Sequence, residues 1–505
     1  MIKFLLPLIL FVSPSQIENK KILLIIADDL GINALSAYGL RDNPQTHPFP
    51  VTPNIDLLIE NGIKFNNFYT YPECSPTRAS IQTGRYGFRT GIGKASLTYS
   101  LQIDEFIIPE ILDLNPQLNY SHAMIGKWHI TNSLETPFNA PNDYGYNFFS
   151  GTPFNIGNYC DWNKVVNGEQ VTSSYATTDN VNDAMSWISK QNTNWFMTLA
   201  FNSPHFPFHV PPAIGDNCTF IVNGNIEEEF NMMIERIDYE LGILFSILNL
   251  NETTIIFIGD NGSSGELTFP PFDPNRSKTS LYEGGIRAPL IISYGQIINP
   301  GRVSNRLVNS VDLFSTILEL AGVNVFTTLP CHPIDSKSLF RVIKSESVPQ
   351  RKYVISETFV NGEPENASFC IRDTTYKFIH FKSEEEELYN LLIDPYENNN
   401  LLNGDLSQQE LIILNNLKNT VYSLRETVSE CNEMCCNGHC YGCCQNSDCG
   451  SGRFCNNILH KCVDTECIFD EDCINPNGNY PSIPKQRGCC LPNGVCDYHL
   501  SCLLK

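Results

Sequence analysis

An unbroken apolar run near the N-terminus ends at two adjacent carboxylates, and it reads Lys21-Ile22-Leu23-Leu24-Ile25-Ile26-Ala27-Asp28-Asp29. Three later runs share this form, with polar residues directly after a mostly apolar stretch: residues 122–125 before Gly126-Lys127-Trp128-His129, residues 195–201 before Asn202-Ser203-Pro204-His205, and residues 253–258 before Gly259-Asp260-Asn261-Gly262. Continuous apolar runs of this length are typical of strands covered on both faces, as in a parallel sheet. Because open α/β sheets bind ligands at the carboxyl ends of their strands, we expect the four polar clusters to meet in one crevice.

Helical patterns lie between these runs. A cap residue and a proline at Thr52-Pro53 begin a segment that stops at Gly62. Residues 226–250 place apolar side chains at helical spacing, and residues 310–320 form another such pattern. This alternation of strands and helices predicts an α/β sandwich with a central, mostly parallel sheet, which we assign to residues 16–350.

The pattern changes near Arg351 to short strand-like pieces and one closing helix. The pieces cover residues 353–357, 367–372, 376–381 and 388–391, and the helix covers residues 406–428. We therefore expect a small antiparallel α+β subdomain at residues 351–430. The acidic run at residues 384–387 is predicted to be a solvated loop within it.

The 20 cysteines are distributed unevenly, with fifteen of them between Cys431 and Cys502. The other five lie in the preceding part of the chain and are Cys74, Cys160, Cys218, Cys331 and Cys370. Such a density predicts a disulfide-rich module at residues 431–505, which needs an oxidising compartment. Zinc is the alternative for clustered cysteines, and that compartment disfavours it. The sequence does not identify a partner for this tail.

The N-terminus predicts entry into the secretory pathway. Lys3 precedes an apolar stretch at residues 4–12, and the small residues Ser13 and Ser15 follow at cleavage-like spacing. This stretch is too short to span a bilayer, so we expect a signal peptide at residues 1–15. Glycosylation sequons occur at Asn119, Asn217, Asn251, Asn275 and Asn366. No later stretch approaches the roughly 20 apolar residues of a membrane helix, so the sequence predicts a protein that is secreted or delivered to a lysosome-like lumen.

The charge balance argues against several classes of partner. The 505 residues include 33 Lys and Arg against 55 Asp and Glu, which gives a formal net charge of -22. That sign argues against general nucleic-acid binding, for which a basic surface is expected. It also argues against docking on an anionic membrane through a polybasic patch. An anionic substrate would therefore be held by a few individually placed lysines and arginines.

The most specific motif reads Cys74-Ser75-Pro76-Thr77-Arg78-Ala79-Ser80-Ile81-Gln82-Thr83-Gly84-Arg85. Proline is favoured in the first turn of a helix, so Pro76 would place Cys74 at a helix N-terminus, where free N–H groups and the dipole favour anions. The stretch resembles the signature of the sulfatase family, Cys-X-Pro/Ser-X-Arg followed by Thr-Gly-Arg. The polar clusters quoted above, and Lys278 before Glu283-Gly284-Gly285, occur in the order of that family.

This resemblance covers about residues 20–430 and is closest to the arylsulfatase A and B type. It implies an alkaline-phosphatase-like α/β fold and a sulfuric ester hydrolase that cleaves aryl or carbohydrate sulfates. In that family a formylglycine-generating enzyme oxidises the signature cysteine during synthesis, so the resemblance implies formylglycine at Cys74. One hydroxyl of the hydrated aldehyde would attack sulfur, and the other would later expel sulfate.

Hard oxygen ligands recur in the polar clusters, namely the carboxylates of Asp28, Asp29 and Asp260 and the amide of Asn261. Such ligands suit Ca²⁺ or Mg²⁺ better than zinc. Each pair alone fits an ordinary turn. Two pairs at the ends of apolar strands, in one chain with the cysteine motif, favour a metal site instead. By resemblance the ion is Ca²⁺, with the oxidised Cys74 as a further ligand.

The resemblance also implies roles for the cationic and imidazole side chains. Arg78 would orient the hydrated aldehyde, and Lys127 and Lys278 would hold the sulfate oxygens. His205, with help from Lys278, would protonate the departing alcohol. His129 would assist deprotonation of the second hydroxyl.

Two alternatives to this function stay open at the level of sequence. A phosphodiesterase or phosphonate hydrolase on the same scaffold would share the metal site. A catalytically inactive relative would bind sulfated glycans through the body or the tail. Asn155 falls where some arylsulfatases place a sulfate-contacting serine, so it is a further candidate for substrate binding.

Overall fold

The computed structural model describes residues 20–133, 137–329 and 334–426, together with four short strands nearer the C-terminus. The predicted signal peptide at residues 1–15 lies outside the described residues, and so does most of the cysteine-rich tail. The tail strands are β15 (Arg453–Asn456), β16 (Lys461–Asp464), β17 (Cys489–Cys490) and β18 (Cys496–Asp497). They form two antiparallel pairs, β15 with β16 and β17 with β18. The disulfide-rich module stays a prediction.

A ten-stranded sheet forms the centre of the molecule. Its strands are β1 (Lys21–Ala27), β2 (Gly62–Tyr69), β3 (Tyr120–Lys127), β4 (Phe148–Thr152), β5 (Lys164–Val166), β6 (Glu169–Val171), β7 (Asn194–Ala200), β8 (Thr253–Gly259), β9 (Arg287–Ser293) and β10 (Arg302–Asn309). They lie in the order β10-β2-β9-β8-β1-β7-β3-β4-β5-β6. The contiguous strands β8, β1, β7, β3 and β4 are all parallel, whereas β9 runs antiparallel to both of its neighbours. The predicted α/β class with a mostly parallel centre is confirmed.

Twelve α-helices accompany the sheets in the described part of the chain. They are α1 (Pro53–Glu60), α2 (Cys74–Thr83), α3 (Gly87–Thr90), α4 (Ile108–Asp113), α5 (Ala140–Asp143), α6 (Ala176–Ile188), α7 (Ile226–Ile247), α8 (Glu283–Ile286), α9 (Asp312–Ala321), α10 (Val325–Thr328), α11 (Phe340–Ile343) and α12 (Gln408–Glu426). The helices predicted after Thr52-Pro53 and within residues 226–250 and 310–320 are confirmed as α1, α7 and α9.

Both faces of the sheet are covered, which explains why its central strands are apolar throughout. Ile22, Leu24 and Ile26 of β1 pack in one buried cluster with side chains of α2, α4 and α9. Leu23 and Ile25, which point the other way, pack with α1, α6 and α7. Because successive side chains of a strand point to opposite faces, the single apolar run of β1 contributes to the hydrophobic core on each side of the sheet.

A second sheet of four antiparallel strands follows, as predicted. Its strands are β11 (Val354–Thr358), β12 (Ser368–Arg372), β13 (Tyr376–His380) and β14 (Glu386–Asn390). α12 covers it through Leu417 and Val421. The prediction of a solvated loop at residues 384–387 is wrong for its second half, because Glu386 and Glu387 belong to β14. Glu386 is held there by Lys418 of α12, whose Nζ lies 2.6 Å from Glu386 Oε1.

A buried charge cluster joins the small sheet to the large one. Lys377 Nζ of β13 lies 3.2 Å from Glu283 Oε1 of α8 and 2.7 Å from Glu397 Oε1. The backbone N–H of Glu283 also donates to Glu397 Oε2 at 2.6 Å. All three side chains are fully buried, and Lys377 contacts both carboxyl groups, so its charge has a partner in an interior where an unpaired charge would be costly.

One disulfide is present among the described residues, between Cys160 and Cys218, and it closes a loop across a sequence separation of 58. Cys74 and Cys370 are buried free thiols. No helix in the described ranges is both long enough and apolar enough to cross a membrane.

Candidate active site

The polar clusters that follow β1, β3, β7 and β8 meet at one edge of the sheet. Asp28 continues β1 beside Asp260, because Ala27 pairs with Gly259 in the parallel register of β1 and β8. Lys127 is the last residue of β3, and its Nζ lies 2.5 Å from Asp28 Oδ2. The crevice expected at the carboxyl ends of the strands is therefore formed by buried side chains of residues far apart in the chain.

Cys74 is the first residue of α2 and is 2 % exposed. Its Sγ lies 3.1 Å from His129 Nδ1 and 3.5 Å from Lys127 Nζ. Burial raises the pKa of the Cys74 thiol to about 11. The free N–H groups of the first helical turn and the Lys127 charge both favour an electron-rich group at this position.

Arg78 follows one turn later on the same side of α2. Its Nε and Nη2 lie 3.0 Å and 2.7 Å from Asp260 Oδ2, and its Nη1 donates to the Lys127 carbonyl at 2.6 Å. Burial alone would lower the pKa of Arg78, but Asp260 and Asp28 raise it above its ordinary value. Arg78 is thus a permanent cation that fixes Asp260 beside the end of β3.

The two central carboxylates have opposite proton affinities. Burial disfavours ionisation of Asp28, but Lys127, His205 and Arg78 outweigh it and hold the pKa of Asp28 well below its ordinary value. Burial and the adjacent Asp28 charge raise the pKa of Asp260 to about 7. Burial and the Asp28 charge thus oppose ionisation of Asp260, and a cation bound between the two carboxylates would offset that opposition.

The donor set fits a hard divalent cation. Ligand atoms of Asp28, Cys74 and Asp260 all lie within 4.8 Å of one another. Asp28 Oδ1 and Asn261 Oδ1 are buried and have no hydrogen-bond partner among the described residues. An unsatisfied buried oxygen is costly, and a cation between these atoms would satisfy both. Carboxylate and amide oxygens are the ligands of Ca²⁺ and Mg²⁺.

Asp29 connects the metal-ligand group to the more open side of the site. Its backbone N–H donates to Asp260 Oδ1 at 3.0 Å, and its Oδ1 accepts from Asn261 Nδ2 at 2.8 Å. Asp29 Oδ2 lies 2.6 Å from Lys278 Nζ and 3.7 Å from His205 Nε2. Burial opposes the charge of Lys278, but Asp29 outweighs it and raises the pKa of Lys278 above its ordinary value.

His129 adopts a left-handed backbone conformation, with φ 63°, which directs its ring towards Cys74. The Ser75 hydroxyl donates to the His129 carbonyl at 2.6 Å. Burial, and then the Lys127 charge, lower the pKa of His129 well below its ordinary value. The ring is therefore a neutral imidazole, able to accept a proton.

The glycine that begins this motif has a steric function. Gly126 has φ +90°, and a Cβ there would lie 1.9 Å from the carbonyl oxygen of Ala200 on β7. Any side chain at this position would push β3 away from β7. The close approach of β3 to β7 at Gly126 therefore sets the positions of Lys127 and His129, which follow it in the chain.

Asn155 stands apart from this cluster. It is exposed, within the segment after β4, and has no hydrogen bond to the cluster among the described residues. Sequence reasoning also missed two buried hydroxyl groups that support the site, those of Ser75 and Tyr159. Both donate to backbone carbonyl groups. Every residue has a backbone carbonyl, so the sequence does not indicate which residue accepts the hydrogen bond.

Two family models match the chain. One, described as Sulfatase, matches residues 20–323, and the other, described as N-sulphoglucosamine sulphohydrolase, C-terminal, matches residues 274–427. N-acetylgalactosamine-6-sulfatase of Sus scrofa is 29% identical over 343 residues, which cover 61% of this chain and 63% of that protein. The chain thus aligns with less than two thirds of that relative's length. Arylsulfatase A of Homo sapiens is 26% identical over 457 residues, or 76% of this chain and 83% of that protein.

Solved structures share the same architecture. The crystal structure of Ps i-CgsB has a TM-score of 0.66 with 22% sequence identity, and the match covers 81% of this chain and 93% of that one. At this level of identity the likeness concerns the fold. It confirms the predicted alkaline-phosphatase-like sandwich.

Proposed function

The chain belongs to the sulfatase family, and from that premise we propose that it hydrolyses sulfate monoesters of an aryl or carbohydrate alcohol. One observation carries this proposal above the others. Cys74 begins a helix, is buried, and lies in contact with Lys127 and His129 beside the carboxylates of Asp28 and Asp260. A sulfuric ester hydrolase needs this combination of a reactive position, cationic partners for sulfate and a proton acceptor.

We assign the cation site to Ca²⁺, held by Asp28, Asp29, Asp260, Asn261 and the residue at position 74. The support is the orphaned oxygens of Asp28 and Asn261 and the hard character of all four oxygen donors. Mg²⁺ uses the same ligand types. When bound, the ion supplies positive charge that polarises a sulfate oxygen.

Position 74 is assigned to formylglycine, made from Cys74 by a formylglycine-generating enzyme. When present, that group supplies the nucleophilic oxygen, which the unmodified thiol lacks. The protein surroundings favour an oxygen nucleophile here, because Lys127 and the helix N-terminus both stabilise negative charge. Arg78 orients the group indirectly, since it fixes Asp260 and the Lys127 carbonyl around it.

Lys127 and Lys278 bind the sulfate oxygens in this proposal. They approach from different sides, one bonded to Asp28 and the other to Asp29. Each lysine therefore already has its position set by a carboxylate before substrate arrives, which lowers the entropic cost of binding. The chain has a net charge of -22, so an anion has to be held by local positive charges, and these two lysines supply them.

Two histidines transfer protons in this proposal, each through one ring nitrogen. His205 protonates the oxygen of the departing alcohol from Nε2, which faces Asp29 at the mouth of the site. His129 accepts a proton at Nδ1, 3.1 Å from Cys74 Sγ, and its lowered pKa keeps it neutral for that task. The acid and the base are thus separate groups in this proposal, with His129 in contact with position 74 and His205 in contact with Asp29.

A secreted or lysosome-like location is proposed with this activity. The support is the Cys160–Cys218 disulfide, which is typical of oxidising compartments, and the surface position of the predicted glycosylation acceptors. All five are exposed, namely Asn119, Asn217, Asn251, Asn275 and Asn366. Asn261 also fits the sequon pattern but is fully buried, in keeping with its assignment as a metal ligand.

The test combines peptide mass spectrometry across Cys74 with turnover of an aryl sulfate by the protein from its native source. We expect the peptide to carry an aldehyde in place of the thiol, and 4-nitrophenyl sulfate to be cleaved. The matched variant Cys74→Ala should fold with an unchanged melting temperature and lose turnover. An intact thiol in active protein, or a retained rate in Cys74→Ala, contradicts the proposal.

A further inference from the structure

Tyr159 holds the turn that carries His205, and we propose that it is the positioning residue for proton delivery to the departing alcohol. This inference rests on the proposed function, in which His205 is the acid. Tyr159 does not touch the substrate in this account, since it is fully buried and acts through the backbone.

The contact is made by one hydroxyl and two carbonyl groups. Tyr159 Oη lies 2.7 Å from the carbonyl oxygen of Asn202 and 2.7 Å from that of His205. The backbone N–H of His205 also donates to the Asn202 carbonyl at 3.0 Å. The single hydroxyl hydrogen is shared between the carbonyl groups at the two ends of the turn that follows β7, so opening the turn would weaken a buried hydrogen bond.

A hydrogen bond to the backbone also fixes the orientation of the His205 ring. His205 Nδ1 lies 2.6 Å from the carbonyl oxygen of Phe206, which can only accept, so Nδ1 carries the hydrogen. Nε2 is left to face the site, 3.7 Å from Asp29 Oδ2. When the imidazolium donates its Nε2 proton to the oxygen released by S–O cleavage, the neutral ring keeps Nδ1–H on Phe206. A shift of the turn would therefore move the acid away from the leaving oxygen.

The ring of Tyr159 is itself held by a second aromatic contact. Its centroid lies 4.4 Å from that of His209, which is fully buried. His209 Nδ1 lies 2.9 Å from the Pro207 carbonyl oxygen, and its Nε2 lies 3.0 Å from the Tyr175 hydroxyl. Nδ1 must donate to a carbonyl, so Nε2 accepts from Tyr175. The segment from Asn202 to His209 is consequently fixed at both ends.

A covalent bond holds the same region from the other side. Cys160 follows Tyr159 directly and is bonded to Cys218, which lies in the connection between His209 and α7. Tyr159, the disulfide and His209 thus all restrain the segment that carries His205. No other described tyrosine hydroxyl bonds to the backbone of a residue assigned here to proton transfer.

The consequence is a selective effect on poor leaving groups. An acidic phenol departs as its anion and gains little from a proton donor, whereas a weakly acidic alcohol depends on one. Mispositioning the acid should therefore slow the weakly acidic substrates most. A purely structural defect would slow all substrates in the same proportion.

The experiment compares 4-nitrophenyl sulfate with phenyl sulfate in wild type, Tyr159→Phe and His205→Ala. We expect kcat/KM for 4-nitrophenyl sulfate divided by kcat/KM for phenyl sulfate to rise about 10-fold in Tyr159→Phe. The rise should be larger in His205→Ala, because general acid catalysis typically contributes about 10²–10⁴-fold to the rate. The matched control is Tyr86→Phe, because Tyr86 is also buried and its hydroxyl accepts a hydrogen bond from Arg351 at 2.8 Å, away from the site. Its ratio should stay at the wild-type value.

The outcomes separate the inference from its premise. No turnover of either ester by wild type overturns the proposed function, and an unchanged ratio in His205→Ala overturns the assignment of the acid. A changed ratio in His205→Ala with an unchanged ratio in folded Tyr159→Phe overturns the positioning role alone. If Tyr159→Phe does not fold, Tyr175→Phe, which releases His209, is expected to raise the ratio in the same direction, and an unchanged ratio there overturns it.

Discussion

Lys278 Nζ lies 2.6 Å from Asp29 Oδ2, and its side chain is 19 % exposed, whereas that of Lys127 is fully buried. The two cations that we assign to sulfate thus differ in their access to solvent. Lys278 lies at the more exposed side of the site, so its removal would leave Asp29 closer to solvent than Asp28 is. Substitution of Lys127 should be more costly, because its loss would leave the buried Asp28 carboxylate without that partner.

We therefore expect Lys278→Ala to remain folded and to lose about 10²-fold in kcat/KM, as is usual for one lost charge-stabilising donor. Steady-state kinetics and a thermal melt measure the two effects. Lys190→Ala, at an exposed lysine after α6, is the matched control and should change neither. A Lys278→Ala protein with wild-type kinetics would show that sulfate is held elsewhere.

Calcium should stabilise the folded protein. At a free concentration of one hundred times its dissociation constant, a ligand that binds only the folded state adds about 2.7 kcal/mol. Thermal unfolding with added Ca²⁺ or with a chelator measures this without any assay of activity. Asp260→Asn removes one negative charge and should reduce the calcium-dependent shift. Identical melting curves with and without Ca²⁺ would argue against the assigned site.

The junction of the two sheets should respond to pH through Glu397. Burial raises the pKa of Glu397 to about 7 from an ordinary 4.5, with Glu283 adding to the rise and Lys377 opposing it. A carboxyl with a raised folded-state pKa favours folding while it is protonated, so its contribution is full below pH 4.5 and is lost as the pH rises to 7. The loss amounts to about 3 kcal/mol.

Glu397→Gln keeps the shape but cannot ionise, so its free energy of unfolding should fall less between pH 5 and pH 8 than that of wild type. Urea titrations at the two pH values measure the difference. Glu363→Gln, at an exposed position, should follow the wild-type curve. Parallel pH profiles for wild type and Glu397→Gln would mean that Glu397 is ionised in the folded protein throughout.

The double variant Cys160→Ser, Cys218→Ser should be markedly less stable. A disulfide that closes a loop of this length, with a sequence separation of 58, stabilises by about 4 kcal/mol through the entropy of the unfolded chain. Denaturant unfolding under oxidising conditions measures the cost. An unchanged free energy of unfolding would show that the loop between these cysteines is already ordered in the unfolded state.

Much of the fold follows from local pattern, and the exceptions have physical causes. β1, β3, β7 and β8 were predictable because each is an apolar run that ends in polar residues. The antiparallel direction of β9 was not, because a fully buried strand has the same pattern in either direction. The short α8 before it, rather than a long crossover helix, lets the chain turn back.

The site divides in the same way. The cluster of Asp28, Cys74 and Asp260 could be expected because their side chains carry the chemistry that identifies them. Tyr159 could not, since its partners are carbonyl groups that every residue possesses. The Glu283–Lys377 pair was equally hidden, because nothing in either segment specifies a partner so far along the chain.

The burial of Cys74 has a consequence for the proposed formylglycine, because it limits when an enzyme could reach the thiol. In the finished molecule the thiol is enclosed by α2 and the ends of β1, β3 and β8, so a second protein could not reach it. The nascent chain presents Cys74 well before Lys127, Asp260 and Lys278 leave the ribosome. On the proposed assignment of formylglycine to position 74, oxidation would have to precede the closing of the sheet, and molecules that fold first would keep an inert thiol.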